Sequence, residues 1–313
     1  ARSSAGLGDR SEVVRVSTSS AVAAAPVATH QTASSITLSW SAPSVGTGSA
    51  ATGYQVYLVT VAEGTTEPVY TLVYDGAGSL ATSVELSSLD SGSLYTYVLS
   101  SVSAAGESDV SAEVSVSTAP GVATGLSSTL QTTSSISLAW TAPTIASGEA
   151  VTGYKVYARS ETGLLGVDGE AGDGTDGVVI DSLVYDGRGD VTTATDPSTE
   201  LNDLEGGSLY TYLVGALSEA GESDRSASLS LSTAAPAPSG LTSVSQTTTG
   251  MELSWTAPAV VSGEAVTGYK VYRDDGAGSA VDVVAYDSRA NSGDYVSTSC
   301  VVSGLTGGLT YTY

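Results

Sequence analysis

The block Gln-Thr-x-Ser-Ser-Ile-x-Leu-x-Trp-x-Ala-Pro occurs around Trp40 and again around Trp140, and a looser copy surrounds Trp255. Every copy is followed by the hexapeptide Thr-Gly-Tyr-x-Val-Tyr. A chain that repeats itself at a period of about a hundred residues is typical of small domains in tandem, and not of one large enzyme fold. The repeat therefore favours a structural or adhesive array, and it leaves the partner of that array undetermined.

The spacing of the copies divides the chain into a leading segment and three units. Residues 1–18 match residues 101–118 at several positions, so we interpret residues 1–20 as the last strand of a preceding repeat. One hypothesis is that the chain is about one period of a three-domain superrepeat in a continuous fibre. Another is that residues 1–18 complete the third unit of a neighbouring chain by strand addition. The alternative to both is that the sequence is an arbitrary segment of a longer array. The predicted units are residues 21–119, 120–234 and 235–313, and the third ends before its last strand.

Alternation with a period of two residues dominates the chain. Ile36, Leu38 and Trp40 point one way along a predicted strand, while the Ser and Thr residues between them point the other way. Such stripes indicate half-buried strands, and turn dipeptides such as Asp75-Gly76 separate them. No window shows a helical stripe. Seven short strands per unit with one tryptophan predict an all-β fold of tandem two-sheet sandwiches.

The order of these motifs resembles the fibronectin type III family. In each unit a tryptophan of the second strand is followed by Ala-Pro, a Gly-Tyr-x-Val strand comes next, and a Leu precedes a Tyr by six residues. The resemblance covers essentially all of the chain and implies an immunoglobulin-like sandwich. It implies little about function, because such sandwiches carry many unrelated roles. The chain departs from the family pattern where a tyrosine replaces an aliphatic residue, at Tyr97, Tyr212 and Tyr313.

Six aromatic residues are predicted to form the structural core. Burial of a tryptophan removes roughly 150–250 Å² from water, and its truncation to alanine typically costs about 3–5 kcal/mol. Each tryptophan is therefore expected to hold its own unit together. The tyrosine after the leucine resembles a tyrosine corner, in which the hydroxyl reaches back to the preceding backbone. The predicted core residues are Trp40, Trp140, Trp255, Tyr95, Tyr210 and Tyr311.

Composition excludes several classes of partner and of chemistry. The net charge of −23 repels nucleic acid and anionic membranes, and no apolar run approaches the roughly 20 residues of a membrane span. The chain has one histidine, His30, and one cysteine, Cys300. No Ser/His/Asp or Cys/His arrangement can therefore recur through the units. Cys300 aligns with Val84 and is interpreted as a small core residue, so we predict that the chain is not an enzyme.

An acidic, glycine-rich insertion distinguishes the second unit. Carboxylates on a flexible loop are the ligands that calcium prefers, but the spacing does not fit an EF-hand. A solvated acidic loop and a calcium site both stay open as interpretations, and no other cofactor is predicted. The insertion contains Asp168, Glu170, Asp173, Asp176 and Asp181, and the calcium candidates are the first four.

Three tyrosines that alternate with the inward stripe of the third strand are candidate partner contacts. They are Tyr57, Tyr157 and Tyr272. Repeated once per unit, they would present a ladder of aromatic surface to a neighbouring chain or to a glycan, and ordinary partly covered sheet residues are the alternative. Residues 188–190 spell the cell-attachment tripeptide Arg-Gly-Asp, yet they fill a Tyr-Asp-Gly-x-Gly turn and are interpreted as a chance match.

The predicted function is that of a structural array. Dense Ser and Thr leave O-linked glycans open, while no Asn-x-Ser/Thr acceptor exists. Proline-bearing linkers such as Ala119-Pro120 favour a semi-rigid rod. The sequence therefore predicts a secreted or surface-displayed, non-catalytic array that associates with identical or related chains in an extracellular filament. A spacer within a secreted multidomain protein and the ectodomain of an adhesion receptor are the alternatives.

Overall fold

The computed structural model describes residues 2–3, 6–7, 14, 16–44, 48–162, 178–189, 197–278, 280–289 and 296–313. Every regular element in these ranges is a β-strand. The described part of the chain thus contains no helix that could span a membrane. The all-β prediction is confirmed, because the regular elements of all three units are strands.

The strands form a leading hairpin and three units. The hairpin consists of β1 (Arg2–Ser3) and β2 (Gly6–Leu7). The strands of the first unit are β3 (Val27–Gln31), β4 (Ser35–Ser39), β5 (Ala51–Val61), β6 (Pro68–Gly76), β7 (Ser83–Ser87), β8 (Leu94–Ser103), β9 (Gly106–Glu107) and β10 (Val114–Ser117). Those of the second unit are β11 (Thr124–Gln131), β12 (Ile136–Thr141), β13 (Gly153–Thr162), β14 (Val178–Asp186), β15 (Ser198–Leu201), β16 (Leu209–Ser218), β17 (Gly221–Glu222) and β18 (Leu229–Ser232). Those of the third unit are β19 (Ser239–Gln246), β20 (Gly250–Thr256), β21 (Lys270–Arg273), β22 (Val283–Asp287) and β23 (Ser299–Ser303).

Each of the first two units is a sandwich of two antiparallel sheets. In the first unit one sheet has the order β3–β4–β7 and the other the order β10–β8–β5–β6, with β9 also paired to β8. In the second unit the sheets are β11–β12–β15 and β14–β13–β16, with β17 and β18 both paired to β16. The described part of the third unit contains the β19–β20–β23 sheet and the β21–β22 pair. The repeated sequence therefore gives repeated strand pairing.

The sandwich follows from the alternation of side chains along its strands. Ile36 and Leu38 on β4 are fully buried, as are Ile136 and Leu138 on β12, whereas the residues between them are partly exposed. Successive side chains of a strand point to opposite faces of the sheet. One face of each sheet is therefore apolar, and its burial against the facing sheet stabilises the unit.

A tryptophan and a tyrosine join the two sheets at the centre of each unit. Each predicted core tryptophan is at most 8 % exposed. Its ring packs edge to face on a tyrosine ring, with centroids 5.2–5.6 Å apart. Aromatic quadrupoles favour this arrangement, which adds to the energy of the buried area. The pairs are Trp40–Tyr54, Trp140–Tyr154 and Trp255–Tyr269.

A second tyrosine in each unit binds the backbone of the turn that precedes its strand. In every unit a phenol hydroxyl accepts a hydrogen bond of 2.8–2.9 Å from the backbone N–H five residues earlier. This bond fixes the turn that leads into the strand, which is the geometry of a tyrosine corner. The pairs are Tyr95 with Asp90, Tyr210 with Glu205, and Tyr311 with Thr306.

In the first two units the tyrosines that replace aliphatic residues of the family pattern are buried beside the corner tyrosines. Tyr97 and Tyr212 are each 1 % exposed. Their rings stack on Tyr95 and Tyr210, with centroids 6.2 and 6.0 Å apart. Burial raises the pKa of both buried phenols above its usual range. A tyrosine is accommodated here because its ring continues the stack of the corner residue.

The leading hairpin has the register of a hairpin in the first unit. β1 pairs with β2 as the end of β8 pairs with β9, with residue numbers offset by 100. The described residues 14 and 16–20 are not in a strand, whereas their counterparts in β10 pair with β8. In the third unit residues 304–313 contain no strand. The assignment of residues 1–20 to a preceding repeat, and the boundaries of the units, stay predictions.

The corner bond can be tested with Tyr210→Phe, which leaves the N–H of Glu205 without its acceptor. A hydrogen bond of this kind contributes about 0.5–1.5 kcal/mol. In a domain of this size, about 1 kcal/mol shifts the melting temperature by roughly 4–8 °C. Calorimetry of the full chain should show one transition shifted by this amount. The control is Tyr70→Phe, whose ring is 45 % exposed, and an equal shift in both variants would contradict the account.

Candidate functional site: the joints between units

At the joint between the first and second units, one backbone carbonyl accepts hydrogen bonds from three N–H groups. We name residues 90–93 the corner turn and residues 144–148 the docking loop. The carbonyl oxygen of Gly92 in the corner turn accepts hydrogen bonds from three successive N–H groups of the docking loop. The donors are Ala146 at 3.0 Å, Ser147 at 3.3 Å and Gly148 at 2.9 Å. Successive N–H groups that converge in this way form a concavity for a negatively polarised atom.

The joint between the second and third units repeats these bonds. Here the corner turn is residues 205–208 and the docking loop is residues 259–263. The carbonyl oxygen of Gly207 again accepts three successive N–H groups, so the same arrangement occurs at equivalent positions of both joints. The donors are Val261 at 3.1 Å, Ser262 at 3.4 Å and Gly263 at 2.9 Å.

A serine of each docking loop reaches back to the preceding unit. The hydroxyl oxygen of Ser147 accepts a hydrogen bond from the N–H of Leu94 at 3.0 Å. Ser262 accepts the equivalent bond from Leu209, also at 3.0 Å. These leucines are the first residues of β8 and β16. The docking loop therefore completes the backbone hydrogen bonding of the unit before it.

The end of the last strand holds each corner turn in place. The hydroxyl of Thr118 donates to the carbonyl of Asp90 at 2.7 Å and accepts from the N–H of Ser93 at 3.0 Å. The carbonyl of Ala119 accepts from the N–H of Gly92 at 2.9 Å. The segment that leads to the next unit thus also fixes the turn on which that unit docks. The equivalent residues in the second unit are Thr233 and Ala234.

Glycine is required at two positions of each joint. Gly92 and Gly207 have φ values of +58° and +67°, which glycine adopts without the penalty of a side chain. A Cβ on Gly148 would lie 2.7 Å from the carbonyl carbon of Gly92, and one on Gly263 would lie 2.7 Å from that of Gly207. The docking loop therefore ends in glycine for a steric reason.

The segment Ala-Gly-Glu-Ser, at residues 105–108 and again at residues 220–223, begins a stretch with a role that sequence reasoning missed. The hydroxyl oxygens of Ser108 and Ser111 accept hydrogen bonds from the N–H groups of Ser101 and Leu99, each at 3.0 Å. These bonds supply hydrogen-bond partners to the part of β8 that lies beyond its pairing with β10. The signal in the sequence is a pair of serines three positions apart that recurs in the second unit. The equivalent bonds join Ser223 to Ala216 and Ser226 to Val214.

The tyrosines predicted as an exposed ladder are not uniformly exposed. Tyr57 is half-buried and donates to Glu107 at 2.7 Å. Burial, together with that carboxylate, raises the pKa of Tyr57 to about 12. Tyr157 is buried and donates to Glu222, so the prediction that Tyr157 is exposed is wrong. Both Glu222 and the guanidinium of Arg225 cover this tyrosine, and the first unit has a valine where the second has Arg225. Tyr272 is 43 % exposed.

Asp181 lies at the centre of an ion cluster on the second unit. Arg159 donates to both of its carboxylate oxygens, at 2.7 and 2.9 Å, and Arg225 also binds it. The guanidinium of Arg225 lies 3.8 Å from the ring centre of Tyr157. The hydrogen bonds from Arg159 are the main cause that lowers the pKa of Asp181 to about 2. Asp181 is therefore a paired residue of β14, and its expected place in an acidic loop is wrong.

The other calcium candidates lie outside the described residues, namely Asp168, Glu170, Asp173 and Asp176. Within the described ranges, no group of three or more His, Cys, Asp or Glu residues could hold a metal ion. Residues 188 and 189 follow β14, and residue 190 is outside the description. The structure therefore adds no support to either the calcium or the cell-attachment interpretation.

The only histidine and the only cysteine are in different units. His30 is exposed on β3. Cys300 is buried on β23 within the core of the third unit, and burial raises the pKa of its thiol. The raised pKa disfavours the thiolate that a nucleophile would need. These placements fit the interpretation of Cys300 as a core residue.

The sequence profile of the Fibronectin type III domain matches three segments, residues 20–117, 119–232 and 236–313. The chain belongs to the fibronectin type III family. The resemblance seen in the motifs is thereby confirmed, with one match in each repeat. Family membership makes the chain a tandem array of such domains, in which the joints are the feature that distinguishes an array from separate domains.

Known proteins resemble the chain in part. Chitinase A1 of Niallia circulans is 41 % identical over 144 residues, which are 41 % of this chain and 18 % of the chitinase. This chain therefore spans less than a fifth of that relative. A two fibronectin type-III domain segment from chicken tenascin is 20 % identical and covers 67 % of this chain and 99 % of its own, with a TM-score of 0.30. The chicken CNTN1 FN1-FN3 domains are 13 % identical over 92 % of this chain and 90 % of their own, also at 0.30.

The ion cluster should make the second unit sensitive to acid. The pKa of Asp181 is lowered to about 2 in the folded unit, whereas the pKa of an unfolded Asp is about 3.9. The contribution of Asp181 to the stability of the unit is therefore fully present above about pH 3.9 and is lost as the pH falls towards 2. Asp181→Asn should destabilise this unit by about 1 kcal/mol at pH 7 and flatten its loss of stability below pH 4. Thermal unfolding between pH 2 and pH 7 measures both effects. The exposed Glu200→Gln is the control, and an unchanged acid profile in Asp181→Asn would refute the assignment.

Proposed function

We propose that the chain is a non-catalytic spacer, a row of fibronectin type III domains that holds the parts it connects at a set distance and orientation. The observation that carries this proposal is the repeated joint. Backbone groups of the docking loop and the corner turn make the same bonds at both joints. A joint built from several backbone bonds restricts rotation between units, and a spacer needs that restriction.

The charge of the chain supports an extended arrangement. Residues 21–119 contain eight Asp and Glu residues and no Lys or Arg. Like charges on successive units repel one another and oppose collapse of the array onto itself. The bonds at the joints, in contrast, join uncharged groups. The units are therefore held in contact by interactions that salt does not screen.

The match to chitinase A1 supports a spacer in a larger secreted protein. The matching 144 residues are 18 % of that protein, so the part that the two proteins share is the array. Fibronectin type III domains are common in extracellular proteins, and we propose an extracellular or cell-surface location for this chain. The spacer that the sequence left as an alternative becomes the preferred function.

Small-angle X-ray scattering of the full chain tests the spacer. A compact globule of this length would have a radius of gyration of about 20 Å. Three units in a row should have a clearly larger radius of gyration. This larger radius should persist in 0.5 M NaCl, because the bonds at the joints join uncharged groups. A radius near 20 Å would contradict the proposal. A marked decrease in high salt would show that charge repulsion alone extends the array.

A second candidate function is self-association into a fibre, and the edge strands favour it. β6 and β14 lie at the edges of their sheets. They expose apolar side chains, including Leu72 at 45 % and Leu183 at 48 %. An exposed apolar edge can pair with a strand of another chain. The net charge of −23 opposes such pairing, so we expect it only where salt screens the charge.

Sedimentation velocity over a concentration series tests this second function. Pairing through the edges should increase with NaCl concentration, because screening weakens the repulsion between acidic chains. The double variant Leu72→Lys, Leu183→Lys should remain monomeric, since lysine on an edge strand discourages pairing. The double variant Thr96→Lys, Thr211→Lys, on the inner strands β8 and β16, controls for the two added charges. Monomeric wild-type chain under all conditions would exclude self-association and would leave the spacer function intact.

A further inference from the structure

We propose that the corner turn of each unit is a recognition site for the docking loop of the next unit, and that it selects a loop ending in Ser-Gly. The inference rests on the proposed spacer function and adds a rule for which units can be neighbours. The partner is a fibronectin type III unit whose docking loop reads two apolar residues, Ser and Gly. The known loops of this type are residues 145–148 and 260–263.

The first part of the site is a buried carbonyl that needs donors. With the docking loop in place Gly92 and Gly207 are buried, so a loop that docked without donors would leave a buried backbone carbonyl unpaired, which is costly. Three successive N–H groups of the docking loop meet each oxygen at 2.9–3.4 Å. Only a loop whose backbone curves around the oxygen can present three donors in this way. The carbonyl therefore selects a backbone conformation and not a particular side chain.

Steric exclusion supplies the second part. A Cβ at Gly148 would lie within 3 Å of Gly92 and of the N–H of Ser93. At the other joint Gly263 stands in the same relation to Gly207. Any residue other than glycine at the end of the docking loop would push the loop away from the carbonyl. The bonds would then lengthen together, because all of them end on one atom.

A side-chain bond supplies the third part. Ser147 and Ser262 accept from the first N–H groups of β8 and β16. The residues before these serines differ between the joints, Thr144-Ile145-Ala146 in one and Ala259-Val260-Val261 in the other. Ser-Gly is thus the part that both loops share: its serine supplies a hydroxyl acceptor, and its glycine leaves room for the carbonyl of the corner turn.

The recognition site is assembled before the next unit arrives. The corner turn is bound on one side by the hydroxyl of Tyr95 and on the other by Thr118. Both residues belong to the same unit as the turn. The carbonyl of Gly92 is therefore presented by a fixed backbone, and docking costs little conformational entropy at the turn.

Hydrogen–deuterium exchange of the full chain tests the recognition rule with Gly148→Ala. The amides of residues 146–148 should be protected in the wild type and should exchange about tenfold faster in the variant, the loss expected for one hydrogen bond of net strength about 1.4 kcal/mol. Residues 261–263 should be unchanged and serve as an internal reference. Glu149→Ala, an exposed position beside the loop, is the matched control and should exchange like the wild type.

Ser147→Ala keeps the test decisive if Gly148→Ala unfolds the second unit. It removes one acceptor and should speed exchange at the N–H of Leu94 alone. Protection of the Val214 amide, which Ser226 binds within the unit, reports whether the fold is intact. Unprotected loop amides in the wild type, or no change in either variant, would overturn the rule. If scattering still gave an extended particle in that case, the spacer function would stand and only the recognition rule would fall.

Discussion

The edge-to-face contact between a tryptophan of one sheet and a tyrosine of the other is the interaction on which each unit depends. Trp140 and Tyr154, with centroids 5.2 Å apart, lie among the buried residues that both sheets of the second unit contribute. Loss of a buried tryptophan costs about 3–5 kcal/mol, a large share of the roughly 5–15 kcal/mol that stabilises a domain. Because each unit has its own contact, the array can repeat without a shared core.

The joints extend this local order from one unit to the next. The sheet positions Tyr95, whose hydroxyl holds the corner turn, and the turn presents the carbonyl of Gly92 to the docking loop. Every step uses backbone groups or uncharged side chains. A chain with a net charge of −23 can therefore keep its units in contact while the charge keeps separate chains apart. Uncharged groups at the joints order the units along one array, and acidic side chains keep separate arrays in solution.

The fold could be predicted from the sequence because its causes are local and repeated. Alternating side chains define the strands, and the repeated tryptophan block and the leucine-to-tyrosine spacing define the sandwich. The burial of Tyr157 could not be predicted, because it depends on Glu222 and Arg225, which come close to it only in the folded unit. Asp181 was misplaced because β14 begins inside the glycine-rich insertion. The joints were missed because their acceptor is a backbone carbonyl, which every residue has, and only the glycines at 92 and 148 mark it.

A spacer needs joints that fix the orientation of successive units. Pulsed dipolar electron spin resonance would measure it directly, with spin labels on Glu85→Cys and Glu200→Cys, which are exposed on equivalent strands of neighbouring units. Cys300→Val provides a background without the native thiol, and valine is the residue at the equivalent position 84. The account predicts one narrow distribution of distances, which broadens when Gly148→Ala is added. A broad distribution in the unaltered joint would contradict it.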